Sequence, residues 1–278
     1  MLWAKIETAF VPTITLNWRC NMDICGAIES IRKEGLVVVK NEDLESWNIF
    51  KAIIDDHTYD FLAANKNTTV DATKLNSVRL GAFRALNALE DWEQSYYKMG
   101  GKLLTAVFGP DLLIQRKLNL SIQMPNDVSS ILGMHTDTLS GQSPFELVMW
   151  TAFSKGYGTN SMFYFDRDIS RKIFLEMPHF ETDGLNTLRK KYWSKAKFLE
   201  VNESDVVLFS GTLFHGNVIN ETNDHRISIN CRFKNLFSPS GQTKSADRGV
   251  GIFYKLFSES VATEIGREYL DRQVDFEL

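Results

Sequence analysis

Residues 117–124 read KLNLSIQM, and their alternation of apolar and polar side chains decides the class of fold. Leu or Ile occupies each even position from 118 to 122, whereas Asn119, Ser121 and Gln123 occupy the odd positions. Successive side chains of a β-strand point to opposite faces of a sheet, so this segment is predicted to present one apolar and one polar face. The Pro-Asn-Asp segment that follows ends the predicted strand.

Further short segments with a strand-like pattern follow toward the C-terminus, separated by turn residues. They are ILGMHTD (131–137), FELVMWTAF (145–153), SMFYFD (161–166), AKFLEV (196–201), DVVLFS (205–210), LFHGNVI (213–219) and RISINCRF (226–233). Many short strands at this spacing are typical of an all-β sandwich or barrel. We therefore expect a double-stranded β-helix, the jelly-roll or cupin-like core of an α+β protein, over residues 116–236.

The region before this core, residues 1–115, has mainly helical patterns. Apolar residues recur at helical spacing between 24 and 31, and helical character returns at 46–64 and 82–107. A strand-like GLVVVK segment at 35–40 interrupts these patterns. The sequence thus predicts an N-terminal helical region that precedes the core.

Two more helices are expected outside the predicted strands. The charged run ETDGLNTLRKKYW has apolar residues spaced for one face, which predicts a helical insert near 181–194, either a lid or a surface cover. A terminal helix is expected near 258–273, within a C-terminal extension of 237–278. The length of 278 residues fits a single domain over 1–278.

Composition narrows the class of partner. The net charge is -4 and Lys and Arg are scattered, which argues against nucleic acid and favours a small-molecule substrate. The first residues lack the pattern of a secretion signal and no run approaches 18 apolar residues, so no membrane segment and a cytoplasmic location are expected. Cys20, Cys25 and Cys231 are too few for a disulfide framework and are expected to be reduced thiols.

The strongest candidate for a metal site is the pair His135 and Asp137. One residue separates them, so on a strand both side chains project to one face and can meet one ion. His215 follows an apolar strand and is the best third ligand, because His179 falls in a predicted loop and His225 on an outward strand face. Two histidines and one carboxylate leave three coordination positions open, which suits an iron(II) centre that binds a bidentate keto acid and oxygen together.

Arg226 is predicted to point into the barrel, on the same strand face as Ser228 and Asn230. No acidic residue on that strand neutralises Arg226, and burying an unpaired guanidinium is costly. An external carboxylate is therefore expected. The distal carboxylate of 2-oxoglutarate fits this position, with a bidentate contact from Arg226 and a hydrogen bond from Ser228.

The roles of five other residues are open. Asn119, Ser121 and Gln123 are candidates for co-substrate or substrate contacts on an inward-facing strand, but satisfied polar groups of a barrel interior explain them nearly as well. Trp150 is better explained as core than as pocket, because aromatic residues are ordinary in strands. Arg232 lies on the face of Arg226 and is undecided in the same way.

The combination of HTD at 135–137, His215, Arg226 and Ser228 resembles the iron(II) and 2-oxoglutarate-dependent dioxygenases, especially their phytanoyl-CoA hydroxylase-like branch. Within the similar region, GPDLLIQRKLNLSIQMP, HTDTLSGQSPFELVMW and SMFYFD resemble a smaller group found in streptomycin-type and surface-carbohydrate gene clusters. The resemblance implies Fe(II), 2-oxoglutarate and O2 as cofactor and co-substrates. It also implies hydroxylation of a sugar-related metabolite, such as a nucleotide sugar, a surface-polysaccharide precursor or an aminoglycoside precursor.

Two other functions are compatible with a cupin-like fold. One is a non-oxidative sugar isomerase or epimerase, and the other is a catalytically silent carbohydrate-binding protein. Both leave Arg226 without a purpose, which favours the oxygenase. Desaturation or ring formation would use the same residues as hydroxylation, and the oligomeric state stays open, with a homodimer as one alternative.

Overall fold

The structure is a computed structural model that describes residues 22–65, 70–177, 184–240 and 248–273. Within these ranges the helices are α1 (Met22–Glu34), α2 (Leu44–Ala64), α3 (Ala72–Ala88), α4 (Trp92–Lys98), α5 (Gly101–Phe108), α6 (Arg167–Glu176), α7 (Gly184–Tyr192) and α8 (Val261–Gln273). The strands are β1 (Leu36–Val39), β2 (Leu112–Gln115), β3 (Asn119–Gln123), β4 (Glu146–Ala152), β5 (Phe163–Tyr164), β6 (Lys197–Phe198), β7 (Val206–Ser210), β8 (His215–Gly216), β9 (Arg226–Asn235) and β10 (Tyr254–Ser258).

The strands form two sheets. In the larger one the order is β1-β7-β4-β9-β2-β10, with β3 also paired to β9, and the smaller one has the order β6-β5-β8. Every pairing between these strands is antiparallel. The result is a mixed fold of helices and antiparallel sheets, which is consistent with the jelly-roll expectation.

The alternation seen in the sequence places β9 between two environments. Ile227, Ile229 and Cys231 join a buried core that the large sheet shares with α2, α3 and α4. The alternate residues of β9, beginning with Arg226, face the other side, where a second apolar cluster contains Val148 and Phe209. Burial of the apolar face against the helices therefore forces the polar face toward the interior between the sheets.

Two features of the predicted elements differ in the structure. The helical stretch expected at 82–107 is divided into α3, α4 and α5, because Asp91 adopts a left-handed conformation with φ of 52° before α4 begins. The prediction of a strand at 131–137 is wrong, because His135 forms only an isolated bridge there. Side-chain hydrogen bonds to Asp127 from Ser129 and Ser130 hold the preceding chain in a loop.

The large sheet also extends beyond the predicted core of 116–236. It includes β1 and β2 from the N-terminal region and β10 from the C-terminal extension, and the terminal helix follows β10. The predicted insert contains α7, and α6 precedes it, whereas His179 lies outside the described residues.

Cysteine chemistry differs from expectation at one position. Cys25 is disulfide-bonded, so the prediction of a reduced thiol is wrong there, while Cys231 is a buried free thiol. Among the described helices, none has the length and apolar character needed to cross a bilayer.

Candidate active site

The three predicted ligands converge at one place in the structure. Side-chain ligand atoms of His135, Asp137 and His215 all lie within 4.8 Å of one another. The backbones of His135 and His215 form an antiparallel bridge, and their ring centroids are 4.4 Å apart. This isolated backbone bridge thus brings together two ligands that are distant in the sequence.

Asp137 reaches the cluster from a turn and not from a strand. Its backbone has φ of -61° and ψ of -34°, and it precedes a short 3-10 helix at Thr138–Ser140. Its carbonyl oxygen accepts hydrogen bonds from the backbone N–H groups of Ser140 and Gln142, at 3.0 and 3.1 Å. The strand geometry that predicted a shared face for His135 and Asp137 is therefore wrong, although the two side chains do meet.

Each of the two imidazole rings is oriented by a hydrogen bond from Nδ1, which leaves Nε2 available for a metal. Nδ1 of His135 donates to the backbone carbonyl of Gly133 at 2.8 Å, and Nδ1 of His215 donates to that of Leu213 at 2.9 Å. A carbonyl can only accept, so Nδ1 carries a proton in each ring, and Nε2 is the nitrogen that can bind a metal. A hydrogen bond of this kind, from the nitrogen that does not bind the metal, fixes the tautomer of a metal-binding histidine.

Asp137 carries an oxygen that nothing in the described chain satisfies. Its Oδ1 accepts from Nη2 of Arg232 at 2.8 Å, whereas its Oδ2 is buried without a hydrogen-bond partner. Burial acts to raise the pKa of Asp137, but the positive charge of Arg232 contributes most to the opposite effect, and the pKa lies below its usual value. An ionised oxygen in this position is a ready ligand for a cation.

His215 is held in the neutral form that metal binding requires. Burial lowers the pKa of His215 to about 4 from its ordinary 6.5. The neutral imidazole of His215, the imidazole of His135 and one ionised carboxylate oxygen therefore face one another. This donor set fits the two-histidine, one-carboxylate arrangement that holds non-heme iron(II) and leaves coordination positions open.

Arg226 is a buried cation close to this cluster. Its Nη1 donates to Oγ of Ser228 at 2.9 Å, and its Nη2 donates to Oγ of Ser121 at 3.2 Å and to Oε1 of Gln123 at 3.4 Å. Its Nε has no hydrogen-bond partner, and no carboxylate in the described chain forms an ion pair with it. Burial lowers the pKa of Arg226 to about 10, which reflects the cost of this unpaired charge.

Arg226 and the three ligand candidates line the same cavity. Its volume is about 420 Å³. The described residues that line it are Arg79, Asn119, Leu120, Ser121, Ser129, Ser130, Ile131, Leu132, His135, Asp137, Val148, Trp150, Met162, Phe209, His215, Gly216, Asn217, Arg226, Asn230 and Arg232. One cavity thus contains a potential cation site and an unpaired buried cation.

The other predicted co-substrate residues have different positions. Asn119 lines the cavity and donates to Oδ1 of Asn230 at 3.0 Å. Gln123 and Ser228 are fully buried and do not belong to the described cavity wall. Both contact Arg226, so they reach the cavity only through its guanidinium.

Two residues of the site had no assigned role from the sequence. Nδ2 of Asn217 donates to the carbonyl of Ser130 at 2.9 Å, and its Oδ1 accepts from the backbone N–H of Leu132. Arg232 contacts Asp137 directly. The signal for Arg232 was its even spacing from Arg226 along one strand, whereas the loop contacts of Asn217 left no signal in the sequence.

Known proteins resemble the chain at the level of structure. No protein-family profile and no curated protein sequence matches it. Apo ThoJ, a non-heme monooxygenase, aligns over 84% of this chain and 83% of its own with 14% identity and a TM-score of 0.50. SnoN, a non-heme α-ketoglutarate-dependent epimerase from nogalamycin biosynthesis, aligns over 81% and 86% with 15% identity and a TM-score of 0.51.

A third similar structure carries ligands. HygX from Streptomyces hygroscopicus, with nickel and 2-oxoglutarate bound, aligns over 83% of this chain and 96% of its own. Its sequence identity is 12% and the TM-score is 0.50. At these identities the likeness concerns the fold alone. The structural neighbours of the chain are non-heme oxygenases and related enzymes, and the chain shares their fold.

Proposed function

We propose that this protein is a non-heme iron(II) and 2-oxoglutarate-dependent oxygenase built on a double-stranded β-helix. The observation that carries the proposal is the presence of His135, Asp137, His215 and the unpaired Arg226 around one cavity. A metal site alone is compatible with many functions. A metal site beside a buried cation that lacks a counter-charge calls for an anionic co-substrate.

Each of these residues has a separate task in the proposed site. Nε2 of His135, Nε2 of His215 and Oδ2 of Asp137 hold iron(II), which supplies oxygen activation and oxidation of a substrate C–H bond when bound. Arg226 binds the distal carboxylate of 2-oxoglutarate and orients the keto acid toward the three ligands. Ser121 adds a hydroxyl beside that carboxylate, because it lines the cavity and already contacts Arg226.

Charge balance supports 2-oxoglutarate in particular. Among the charged residues of the cavity wall, Arg232 pairs with Asp137, which leaves the inner cation Arg226 unmatched in the described chain. A dicarboxylate with one end at the iron and the other at Arg226 neutralises both centres. The similar fold of HygX, which was solved with nickel and 2-oxoglutarate bound, adds support.

The cavity wall favours a polar substrate that bears hydroxyl groups. Amide and hydroxyl side chains line it, including those of Asn119, Ser129, Ser130 and Asn230. Such groups pair with sugar hydroxyls as donors and as acceptors. Arg79 on α3 also lines the cavity and has no ion-pair partner among the described residues, which favours a substrate with an anionic group such as a nucleotide sugar.

The rival functions are weaker because they do not use Arg226. A non-oxidative isomerase or a silent carbohydrate-binding protein gains nothing from an unpaired guanidinium buried beside a metal site. The experiment that separates them measures succinate formation by the protein with iron(II), 2-oxoglutarate and O2, over a panel of nucleotide sugars and aminoglycoside precursors. We expect succinate to depend on iron(II) and on one class of substrate. Failure of 2-oxoglutarate to bind the cobalt(II)-loaded protein would remove the proposal.

A further inference from the structure

Arg232 is held on three sides by buried side chains. Its Nη2 donates to Oδ1 of Asp137 at 2.8 Å and its Nη1 donates to Oε1 of Gln115 at 3.0 Å. Its Nε lies 3.3 Å from Oε1 of Glu146. The side-chain exposures are 13% for Arg232, 8% for Asp137 and 0% for Glu146, so solvent screens these charges little.

Two partners of Arg232 are themselves held by further hydrogen bonds. The hydroxyl of Tyr254 on β10 donates to Oε2 of Glu146 on β4. Nε2 of Gln115 on β2 donates to the carbonyl of Lys117 at 2.8 Å. Four strands therefore contribute to the orientation of one guanidinium, since Arg232 itself lies on β9.

The consequence for Asp137 is that its two oxygens are not equivalent. Oδ1 is engaged by Arg232, and Oδ2 is buried, ionised and without a partner in the described chain. A carboxylate that bound a metal through both oxygens would have to share Oδ1 between the metal and Arg232, which weakens the hydrogen bond to the guanidinium. Weakening a charge-assisted hydrogen bond between buried groups is costly.

We infer that Arg232 is a positioning residue that makes Asp137 a ligand through Oδ2 alone, with Glu146, Gln115 and Tyr254 holding Arg232 in place. The inference rests on the proposed metal site and concerns its coordination geometry. A carboxylate that fills one coordination position of the metal, and not two, leaves open the coordination positions that the co-substrates need. Groups that orient metal ligands commonly change metal affinity about 10- to 100-fold when they are removed.

The test measures cobalt(II) binding by calorimetry and the cobalt(II) absorption spectrum, without any turnover. Arg232→Met should weaken cobalt(II) binding about 10- to 100-fold. Arg232→Lys keeps the charge but cannot contact Asp137, Glu146 and Gln115 together, so it should alter the spectrum even where affinity is largely retained. Circular dichroism establishes that each variant is folded, and if Arg232→Met does not fold, Arg232→Lys decides.

Lys234→Met provides the matched control. Lys234 is a buried cation two residues further on the same face of β9, and its described hydrogen bonds go to Ser238 and Ser240 instead of Asp137. We expect it to leave cobalt(II) affinity and spectrum unchanged. An affinity within twofold of the wild type together with an unchanged spectrum in the Arg232 variants overturns the inference while the metal site stands. A wild-type protein that binds no cobalt(II) overturns the metal site and this inference together.

Discussion

His135 and His215 exchange two backbone hydrogen bonds, each with an N···O distance of 2.9 Å. The bridge fixes the spacing of the two imidazoles independently of any ion, because it involves only main-chain atoms. The two histidine ligands are therefore held together by backbone pairing before metal binds. Preorganisation of this kind lowers the cost of binding.

Removal of one imidazole should abolish metal binding without dismantling the bridge. His215→Ala takes away one of three ligands but keeps the backbone pairing with His135, so we expect cobalt(II) binding to be lost while far-ultraviolet circular dichroism stays unchanged. The matched control is His57→Ala on α2, which should bind cobalt(II) as the wild type does. Retained cobalt(II) affinity in His215→Ala would place the metal elsewhere.

The stability of the metal-free protein should depend on pH through His215. Burial lowers the pKa of His215 from 6.5 to about 4. Between pH 6.5 and pH 4 the imidazole of His215 is therefore protonated in the unfolded chain but not in the folded protein. The free energy of unfolding should therefore fall as the pH drops from 6.5 to 4, by on the order of 3 kcal/mol from this group. Urea unfolding at several pH values measures it. His215→Gln should show a flatter profile, and an identical profile in both proteins contradicts the assignment.

Arg226→Met should separate co-substrate binding from metal binding. We expect 2-oxoglutarate to bind at least about 30-fold more weakly, since removing one member of a buried charge pair costs roughly 2 kcal/mol or more. Cobalt(II) affinity should be retained. The protein without 2-oxoglutarate should lose little stability or gain some, because the variant no longer buries an unpaired charge. Unchanged affinity for 2-oxoglutarate in a folded variant counts against the role given to Arg226.

Asn217→Ala should loosen the loop beside the metal ligands. The Asn217 side chain donates to the carbonyl of Ser130 and accepts from the N–H of Leu132. Loss of both hydrogen bonds should lower the free energy of unfolding by about 1–3 kcal/mol and speed hydrogen exchange at the Leu132 amide. Cobalt(II) affinity should stay near the wild-type value. Unchanged exchange at Leu132 would mean that the loop is held by other contacts.

Arg79→Ala should affect only substrates that carry an anionic group. Because Arg79 lines the cavity and is not a partner of the metal ligands, the variant should raise KM for a phosphorylated sugar about tenfold, with kcat and 2-oxoglutarate affinity retained. Arg84→Ala, an exposed residue of the same helix, is the control. Equal KM values for the two variants on a phosphorylated substrate would show that the anionic group binds elsewhere.

The sequence predicted the inward and outward faces of β3 and β9 correctly. Strict alternation is a local property, so Asn119 and Arg226 could be assigned to the polar face without knowledge of the fold. The helix pattern of 82–107 was less informative. Its apolar spacing continued through Asp91, whose left-handed backbone divides the helix.

The sequence by itself determined which residue types were available for a metal and for an anion, since His135, Asp137, His215 and Arg226 stood out by chemistry and spacing. The tertiary structure alone decided that Asp137 reaches the cluster from a turn. It also decided that Arg232 donates a hydrogen bond to one of the two carboxylate oxygens of Asp137. The physical reason is the distance along the sequence between the residues that determine each feature. Alternation along a strand is set by neighbouring residues, whereas the orientation of a buried charge depends on side chains that β2, β4, β9 and β10 bring together from distant parts of the chain.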